Sequence, residues 1–406
     1  MKSDCITVVL IDTNPVGRQG SMARYSRMIV QALSLIGENR LNVTLVHLAL
    51  PNSILSLFPR RLRNWVHQLW IILFTKVRLS GCKADIIHIL DGSHAFVAAL
   101  LPPVRIIATA HDVIPALQSQ GDLGQSRPSR AGSWLIGRSL KGMRNCGWIV
   151  ADSKNTAFDL CRVAGISPEK IRVVHLAVAW NISDREKGTL HSWEDRRSRE
   201  GAYLLHVGNN AFYKNRVGVV NIFARIREKC SIRLVMAGPE PGNQVRKVVQ
   251  EKGLSESIDF VIEPDNSRLA GLYANACLFL FPSLYEGFGL PPLEAMTCSC
   301  PVVCSDAASL PEIVGDAALT CPHGDEQQFA EKCIRILENV GLARDLVKRG
   351  LDHVATFTME KMGKELLFLY EEVLMEKSTT GTSTPDRVVP SEAGGADELC
   401  DWNKPS

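Results

Sequence analysis

The chain has 406 residues, more than one hydrophobic core usually supports, so two or three domains are expected. Hydrophobic residues make up 46% and charged residues 22%, as in a folded globular protein rather than a disordered one. The net charge of only +3 excludes a protein that its overall charge draws to nucleic acid. The apolar runs, such as Leu69–Phe74, are far shorter than a membrane span, and the N-terminus has no signal-peptide core. These features favour a cytosolic protein of several domains over a secreted or integral membrane protein.

Apolar runs alternate with amphipathic stretches in the first half of the chain. Ile6–Ile11 is an almost unbroken apolar run, which is typical of a strand buried on both faces. After a turn that contains Gly17 and Gly20, apolar residues recur every three or four positions from Met22 to Ile36, which predicts a helix. Further strands are predicted at Val43–Leu48, Asp85–Leu90, Val104–Thr109, Trp148–Ala151 and Ile171–His175. The alternation predicts a parallel sheet in a first domain of residues 1–180.

One segment of this first domain, residues 39–84, is basic and contains no Asp or Glu. Within it, residues 60–78 place several arginines and two tryptophans, Trp65 and Trp70, beside an apolar stretch. A basic, Trp-bearing amphipathic helix can lie in the interface of an anionic membrane. A helix that packs on the core and has a solvated basic end fits the same residues, so both interpretations stay open.

Residues 181–201 are polar and highly charged, which predicts a linker. The alternation then resumes, and it predicts a second parallel sheet in a domain of residues 202–356. Its strands are predicted at Tyr203–Val207, Ile232–Ala237, Ile258–Ile262, Cys277–Phe281 and Pro301–Cys304. A helical pattern follows over residues 357–377. The last segment, residues 378–406, is rich in Ser, Thr, Gly and Pro and predicts a disordered tail.

The stretch most informative about chemistry is Phe281–Glu294. A loop with two glycines, Glu286–Gly289, lies between a strand and a helix that is predicted to open at Pro291. The unpaired amides of a first helical turn favour an anion such as a diphosphate. Glu286 would stand at the strand exit, and Glu294 would offer a carboxylate to a ribose diol. Without further motifs, Glu286 also fits an ordinary acidic residue of a turn. Glu294 also fits an ordinary acidic residue in the first turn of a helix.

This stretch resembles the Glu-x7-Glu signature of the retaining glycosyltransferases of family four, also called group 1 glycosyltransferases. The resemblance extends over roughly residues 5–375, and further motifs occur in the order that the family has. These are Thr109–Pro115 (its His-Asp-x-Ile-Pro element), Val150–Thr156, the phosphate loop His206–Asn215, Pro301–Val303 and Ser309–Ala317.

The resemblance implies an α/β fold of the GT-B type: two facing Rossmann-like domains, with helix 357–377 crossing back onto the first. It also implies a nucleotide diphosphate sugar donor bound mainly by the second domain. Glu294 would hold the ribose hydroxyls, Lys214 would face the diphosphate, and Glu286 would hold hydroxyls of the transferred sugar. From the first domain, His111 would contact the sugar near the reacting carbon. The other implied donor contacts are Gly208, Asn215, Gly287, Phe288, Gly289 and Leu290.

The sequence gives only weak evidence about which residues contact the acceptor. The candidates are Gly20, His94 and Asp112. The chain also departs from the family at Tyr213, where the family has an Arg beside the phosphate-loop lysine. Arg216 is a candidate to replace that cation; otherwise the site binds its donor more weakly. A lone histidine after a strand, such as His94 or His111, also fits a core residue with satisfied hydrogen bonds.

The sequence thus predicts an enzyme that moves a hexose with retention from a nucleotide diphosphate sugar to a glycan or lipid-linked saccharide. GDP-mannose is the first choice of donor, and synthesis of a bacterial surface polysaccharide is the expected context. No Asp-x-Asp pair occurs, so neither a metal nor another cofactor is expected. The expected location is cytoplasmic, with peripheral attachment to the inner face of the membrane. The alternative is a catalytically inactive sugar-nucleotide-binding or scaffold module, which Tyr213 favours and the retained Lys214, Glu286, Glu294 and His111 disfavour.

Overall fold

A computed structural model describes residues 5–15, 21–37, 40–102, 104–123, 128–178 and 192–375. These residues divide into two units. The first unit comprises the described residues up to Ala177 together with those from Met359 onward, and the second comprises those within Val178–Thr358.

The first unit is built on a six-stranded parallel sheet in the order β2-β1-β3-β4-β5-β6. The strands are β1 (Ile6–Asp12), β2 (Leu41–His47), β3 (Ile86–Ile89), β4 (Arg105–Ala110), β5 (Trp148–Ala151) and β6 (Ile171–Val173). The helices between them are α1 (Ser21–Ile36), α2 (Asn52–Leu55), α3 (Arg60–Leu79), α4 (Ile114–Gln120), α5 (Arg130–Asn145) and α6 (Lys154–Ala164). A 3-10 helix, Gly92–Leu100, follows β3. Strands β3 and β5 are buried along their whole length, because helices cover both faces of a parallel sheet.

The second unit repeats this plan with the strand order β12-β11-β10-β7-β8-β9. Its strands are β7 (Tyr203–Val207), β8 (Arg233–Gly238), β9 (Ile258–Ile262), β10 (Leu278–Phe281), β11 (Val302–Ser305) and β12 (Leu319–Cys321). Its helices are α7 (Trp193–Ser198), α8 (Arg216–Arg227), α9 (Asn243–Glu251), α10 (Asn266–Asn275), α11 (Leu290–Thr297), α12 (Leu310–Val314), α13 (Glu326–Glu338) and α14 (Val340–Val354). The predicted α/β class with two parallel sheets is confirmed.

The last described helix, α15 (Met359–Met375), belongs to the first unit. It approaches α1 so closely that a Cβ on Gly363 would lie 2.4 Å from the carbonyl oxygen of Ala32. Farther along the helix, the hydroxyl of Tyr370 is 2.8 Å from Nδ1 of His88, in the interior of the first unit. Close packing and a buried hydrogen bond therefore both attach α15 to the first sheet, as the fold prediction expected.

The predicted linker differs from what the structure shows at its C-terminal end. Residues 181–191 lie outside the described residues, but the following helix α7 is part of the second unit. Trp193 is buried, and its indole nitrogen donates to the carbonyl of Cys277 at 2.8 Å. Arg196 is also buried and donates to the carbonyls of Ala276 and Ser299 at 3.2 and 2.8 Å. The charged composition of residues 181–201 does not reveal this packing, because α7 is short and its buried residues are only Trp193 and Arg196.

Two further points concern the end of the chain and the edge of the second sheet. The predicted tail, residues 378–406, lies outside the described residues. The strand β12 was not predicted, because a three-residue, half-buried edge strand carries almost no periodic signal.

Candidate active site

The second sheet has its topological switch point between β7 and β10, the place where open α/β sheets bind ligands. One loop leaves the carboxyl end of each strand, and the two loops are tied to each other. The amide of Leu284 donates to the carbonyl of Tyr213 at 2.7 Å, and Nδ2 of Asn215 donates to the carbonyl of Pro282 at 3.1 Å. The predicted phosphate loop and the predicted Glu-x7-Glu loop therefore form one site.

Lys214 and Glu286 form an ion pair at the centre of this site. The Nζ of Lys214 lies 2.7 and 2.9 Å from the two carboxylate oxygens of Glu286. Their side chains are only 13% and 9% exposed, so each charge compensates the other where water does so poorly. The Nζ also lies 5.2 Å from the ring centroid of Phe281, over its face. In this state the lysine is held by a carboxylate, which an anionic ligand would have to replace.

Close backbone packing shapes the loops around the ion pair. Gly289 has φ = 111°, and a Cβ there would lie 2.8 Å from Cδ2 of Leu310. A Cβ on Gly208 would lie 2.9 Å from Nε2 of His206. The hydroxyl of Ser309 lies 3.0 and 2.7 Å from the carbonyls of Glu286 and Phe288, so it can donate to either. Glycines were predicted here, but the role of Ser309 in holding the loop was not.

Helix α11 begins at Leu290, one residue earlier than predicted. Pro291 and Pro292 therefore occupy the second and third positions, and proline has no amide hydrogen to offer. The donors that this terminus can offer are the amides of Gly289 and Leu290, fewer than the sequence suggested. An anion at this site would consequently depend more on Lys214 than on the helix terminus.

Glu294 is the fifth residue of α11, so it lies in the second turn rather than the first. Its carboxylate is buried, and Oε2 accepts a hydrogen bond of 3.1 Å from the hydroxyl of Tyr273 on α10. This bond restricts the orientation of the carboxylate. Nothing in the sequence pointed to Tyr273, which precedes Glu294 by 21 residues and belongs to an unremarkable amphipathic helix.

Arg216, the candidate replacement for the missing arginine, is buried at the start of α8. Its Nη1 donates to Oδ1 of Asn210 at 2.5 Å and to the carbonyl of Pro239 at 3.1 Å. Among the described residues, its Nε and Nη2 are buried without a hydrogen-bond partner. Burial lowers the pKa of the guanidinium, which stays charged at neutral pH. Arg216 is thus an interior cation close to the phosphate loop.

His206 lies on β7 beneath this loop and was not predicted as a functional side chain. Burial lowers its pKa to about 3, and the positive charges of Arg216 and Lys214 add to the effect. The neutral ring donates from Nδ1 to the carbonyl of Leu280 at 3.1 Å. Its Nε2 is then an acceptor, and in the described part of the chain it has no partner.

His111 in the first unit has both ring nitrogens engaged. Nδ1 donates to Oδ2 of Asp152 at 2.6 Å, and Nε2 donates to the carbonyl of Leu90 at 2.9 Å. Burial alone would lower its pKa, but the charge of Asp152 and their hydrogen bond outweigh burial and raise it to about 9. The ring of Tyr25 contacts His111 edge-on, with centroids 4.5 Å apart. His111 is therefore an imidazolium at neutral pH.

We expect His111 to contribute a pH-dependent term to stability. Because its folded-state pKa of about 9 lies above the usual 6.5, the term is complete below pH 6.5 and is lost as the pH rises through 9. A shift of this size corresponds to about 3 kcal/mol. Histidine ring NMR resonances should give a midpoint near 9, and Asp152→Asn should lower that midpoint.

In urea unfolding, Asp152→Asn should lower the free energy of unfolding more at pH 6.5 than at pH 9.5. At pH 9.5 the loss should be much smaller. Asp122→Asn is the matched control, because the partner of Asp122 is Arg162, which does not titrate in this range. An equal loss for Asp152→Asn at both pH values would contradict the assignment.

The acceptor candidates have separate positions in the first unit. His94 follows β3 at the switch point beside β1, with Nδ1 3.1 Å from Oγ1 of Thr13 and 3.3 Å from Oδ2 of Asp91. Nε2 of Gln68 donates toward the other ring nitrogen of His94 at 3.2 Å. Asp112 accepts from the amide of Ile114 at 3.0 Å and so supports the start of α4. Gly20 lies outside the described residues.

Comparison with known proteins identifies two family models. The model described as "Glycosyl transferases group 1" matches residues 190–353, and the one described as "Glycosyltransferase Family 4" matches residues 20–179. Together they cover about four fifths of the chain. Within the described ranges, no three His, Cys, Asp or Glu side chains are grouped so as to hold a metal ion.

Among curated proteins, the serotype-specific mannosyltransferase WbdA of Escherichia coli is 24% identical over 334 residues. The match covers 78% of this chain but only 40% of WbdA, so the chain spans about two fifths of that relative. The O-antigen chain mannosyltransferase RfbU of Salmonella typhimurium is 24% identical over 64% of this chain and 71% of its own. Among solved structures, sucrose-phosphate synthase of Thermosynechococcus elongatus superposes with a TM-score of 0.72 at 20% identity, covering 91% of this chain and 100% of that one. The fold is of the GT-B type.

Proposed function

Because the chain belongs to the group 1 glycosyltransferases, we propose that it moves a hexose from a nucleotide diphosphate sugar to a glycan or lipid-linked saccharide. The observation that carries the proposal is the switch point of the second sheet. There, Lys214 contacts Glu286, and Glu294 lies on the helix that leaves the same loop. One cation and two carboxylates match a ligand that has an anionic diphosphate between two groups of hydroxyls.

The ion pair suggests how the donor is received. In the donor complex, the diphosphate takes the place of Glu286 as the partner of Lys214. Glu286 is then free to accept hydrogen bonds from hydroxyls of the transferred sugar, and Glu294 accepts them from the ribose. After the exchange Lys214 still pairs with an anion and both carboxylates accept hydrogen bonds, which buried charged groups require.

The same groups suit the transfer step. Breaking the glycosyl–phosphate bond leaves positive charge on the anomeric carbon and negative charge on the departing diphosphate. Lys214 is positioned to stabilise the leaving group, so we propose metal-independent transfer. Retention is proposed to follow from a same-face reaction in which the leaving phosphate helps to deprotonate the acceptor hydroxyl. If His111 contacts the sugar, its Nε2–H has to exchange the carbonyl of Leu90 for a sugar hydroxyl, since both are acceptors.

Mannose is the proposed hexose, with GDP-mannose as donor, and surface-polysaccharide synthesis is the proposed context. The names of the relatives support this choice, since WbdA and RfbU are both mannosyltransferases and RfbU acts on the O-antigen chain.

A thermal-shift panel of GDP-mannose, UDP-glucose, dTDP-rhamnose and ADP-glucose tests the donor. A ligand at 100 times its Kd stabilises the folded state by about 2.7 kcal/mol, so we expect a clear shift with GDP-mannose and little with the other three. Transfer to a polysaccharide extract should follow with α-configured product by NMR, and EDTA should leave the rate unchanged. A shift with another base alone would replace the proposed donor, and no shift with any of them would contradict the proposed site.

One observation favours the alternative of an inactive sugar-nucleotide-binding module. Tyr213 stands where the family has a second cation, and Lys214 already has a carboxylate partner. Turnover distinguishes the two functions. An enzyme releases nucleotide diphosphate from its donor, by transfer or by slow hydrolysis, whereas a binding module gives the thermal shift and releases none.

A further inference from the structure

Helix α3 is apolar on two opposite sides. Its inner side packs on the first unit through Ile71, Thr75 and Leu79, which are all buried. On the opposite side, four aliphatic side chains are 50–74% exposed: Leu62, Leu69, Leu73 and Val77. A surface helix of a globular protein normally has polar residues opposite its core side. The core therefore accounts for only one of the two apolar sides.

Neighbouring elements extend the outer side into a larger patch. Leu57, between α2 and α3, is exposed, and so are Trp65 on α3 and Trp134 on α5. The two indole rings lie 6.2 Å apart, so the patch is continuous from α3 to α5. We call it the outer apolar face: Leu57, Leu62, Trp65, Leu69, Leu73, Val77 and Trp134. Contiguous exposed apolar patches of this kind normally mark a binding surface.

The two segments that carry this face are basic in sequence. The segment that contains α3 has no acidic residue between positions 39 and 84, and the segment that contains α5 has none between 123 and 151. Over the same positions the two segments carry twelve Lys and Arg residues. Lys76 on α3 is exposed on the same side of the helix as Leu73, and Arg138 on α5 stacks on Trp134 at 4.9 Å. The partner that fits is apolar and negatively charged.

We infer that the outer apolar face docks on an anionic lipid bilayer, with α3 lying in the plane of the interface. Leucines that face the acyl chains, tryptophans at their border and basic residues at the rim are the pattern of an interfacial helix. Two copies of this face would bring like charges together, which disfavours a homodimer. Within the described ranges, none of the helices combines the length and apolar character of a membrane span. The inference stands without the proposed transfer reaction.

Sedimentation of the full chain with vesicles tests the inference. At low salt, the chain should pellet with vesicles of 30% phosphatidylglycerol in phosphatidylcholine, and much less with phosphatidylcholine alone. The double variant Leu69→Gln/Leu73→Gln should weaken partitioning at least tenfold, because both side chains would be buried in the interface. Lys76→Gln should weaken it about fivefold by removing one surface charge.

Phe368→Gln is the matched control, because this α15 side chain is 67% exposed in the same unit but outside the face. It should partition like the unchanged chain. The thermal shift with GDP-mannose should also be the same for the double variant, so failure of this inference is distinguishable from failure of the proposed function.

Absence of pelleting with anionic vesicles, or equal pelleting of the double variant, would overturn the inference. So would sedimentation velocity showing a dimer that Leu69→Gln/Leu73→Gln dissociates, because the face would then join two copies of the chain.

Discussion

Replacing Glu294 with alanine should weaken nucleotide-sugar binding at least 100-fold. In the proposed complex this carboxylate accepts two hydrogen bonds from the ribose diol, and a hydrogen bond to a charged group contributes about 1.5–3 kcal/mol. The side chain is buried and its orientation is restricted by Tyr273, so another side chain cannot readily take over the role of this carboxylate. Isothermal titration calorimetry with GDP-mannose, or with the donor that the thermal-shift panel selects, measures the loss.

Two further variants separate binding from folding. Alanine also removes the acceptor of the Tyr273 hydrogen bond, which is expected to cost about 1–3 kcal/mol of stability. Glu294→Gln retains an acceptor for Tyr273 but removes the charge, so it should stay folded and still bind donor poorly. Glu338→Ala, which removes an exposed carboxylate from α13, is the matched control. Donor affinity that is unchanged in Glu294→Gln would rule out the ribose assignment.

The second large effect is expected at the Lys214–Glu286 pair. Lys214→Met should reduce kcat by about 10²–10³, because one preorganised donor to the leaving group is lost. It should also lower the free energy of unfolding by about 3–5 kcal/mol, because the largely buried Glu286 carboxylate loses its partner. Steady-state kinetics and urea unfolding of the same protein preparations measure the two losses.

A charge swap distinguishes a structural ion pair from a catalytic one. Lys214→Glu/Glu286→Lys restores opposite charges and should recover part of the stability that either single variant loses, but none of the activity. As a control, the same swap at the exposed pair Arg233–Asp259 should change stability by less than about 1 kcal/mol and leave kcat unchanged. Recovery of activity in the Lys214/Glu286 swap would show that the pair acts through stability alone.

Most strands could be predicted because a strand that is buried on both faces appears in the sequence as an apolar run. β1 (Ile6–Asp12) and β10 (Leu278–Phe281) differ from their predictions by one residue at one end. The same reasoning failed where the signal is short. Helix α7 is anchored by two buried side chains, and α11 begins directly after Gly289, which has φ = 111°.

The candidate site divides in the same way. Glu286, Glu294 and the intervening glycines are recognisable because they are close in the chain and stand between a strand and a helix. The partners Tyr273, Ser309 and His206 could not be assigned roles, because each is a common residue type with no local pattern that distinguishes it. His111 was predicted, but not that both of its ring nitrogens are engaged by Asp152 and Leu90.

The sequence by itself determined the two parallel sheets and the loop that carries the Glu-x7-Glu pattern, because these depend on periodicity and residue type over short stretches. Only the tertiary structure decided that Lys214 contacts Glu286, 72 residues away, and which side of α3 is left exposed. The two indistinguishable interpretations of α3 illustrate the reason. A helix with apolar residues on two sides has one sequence pattern, and only the packing of the rest of the chain selects the side that is buried.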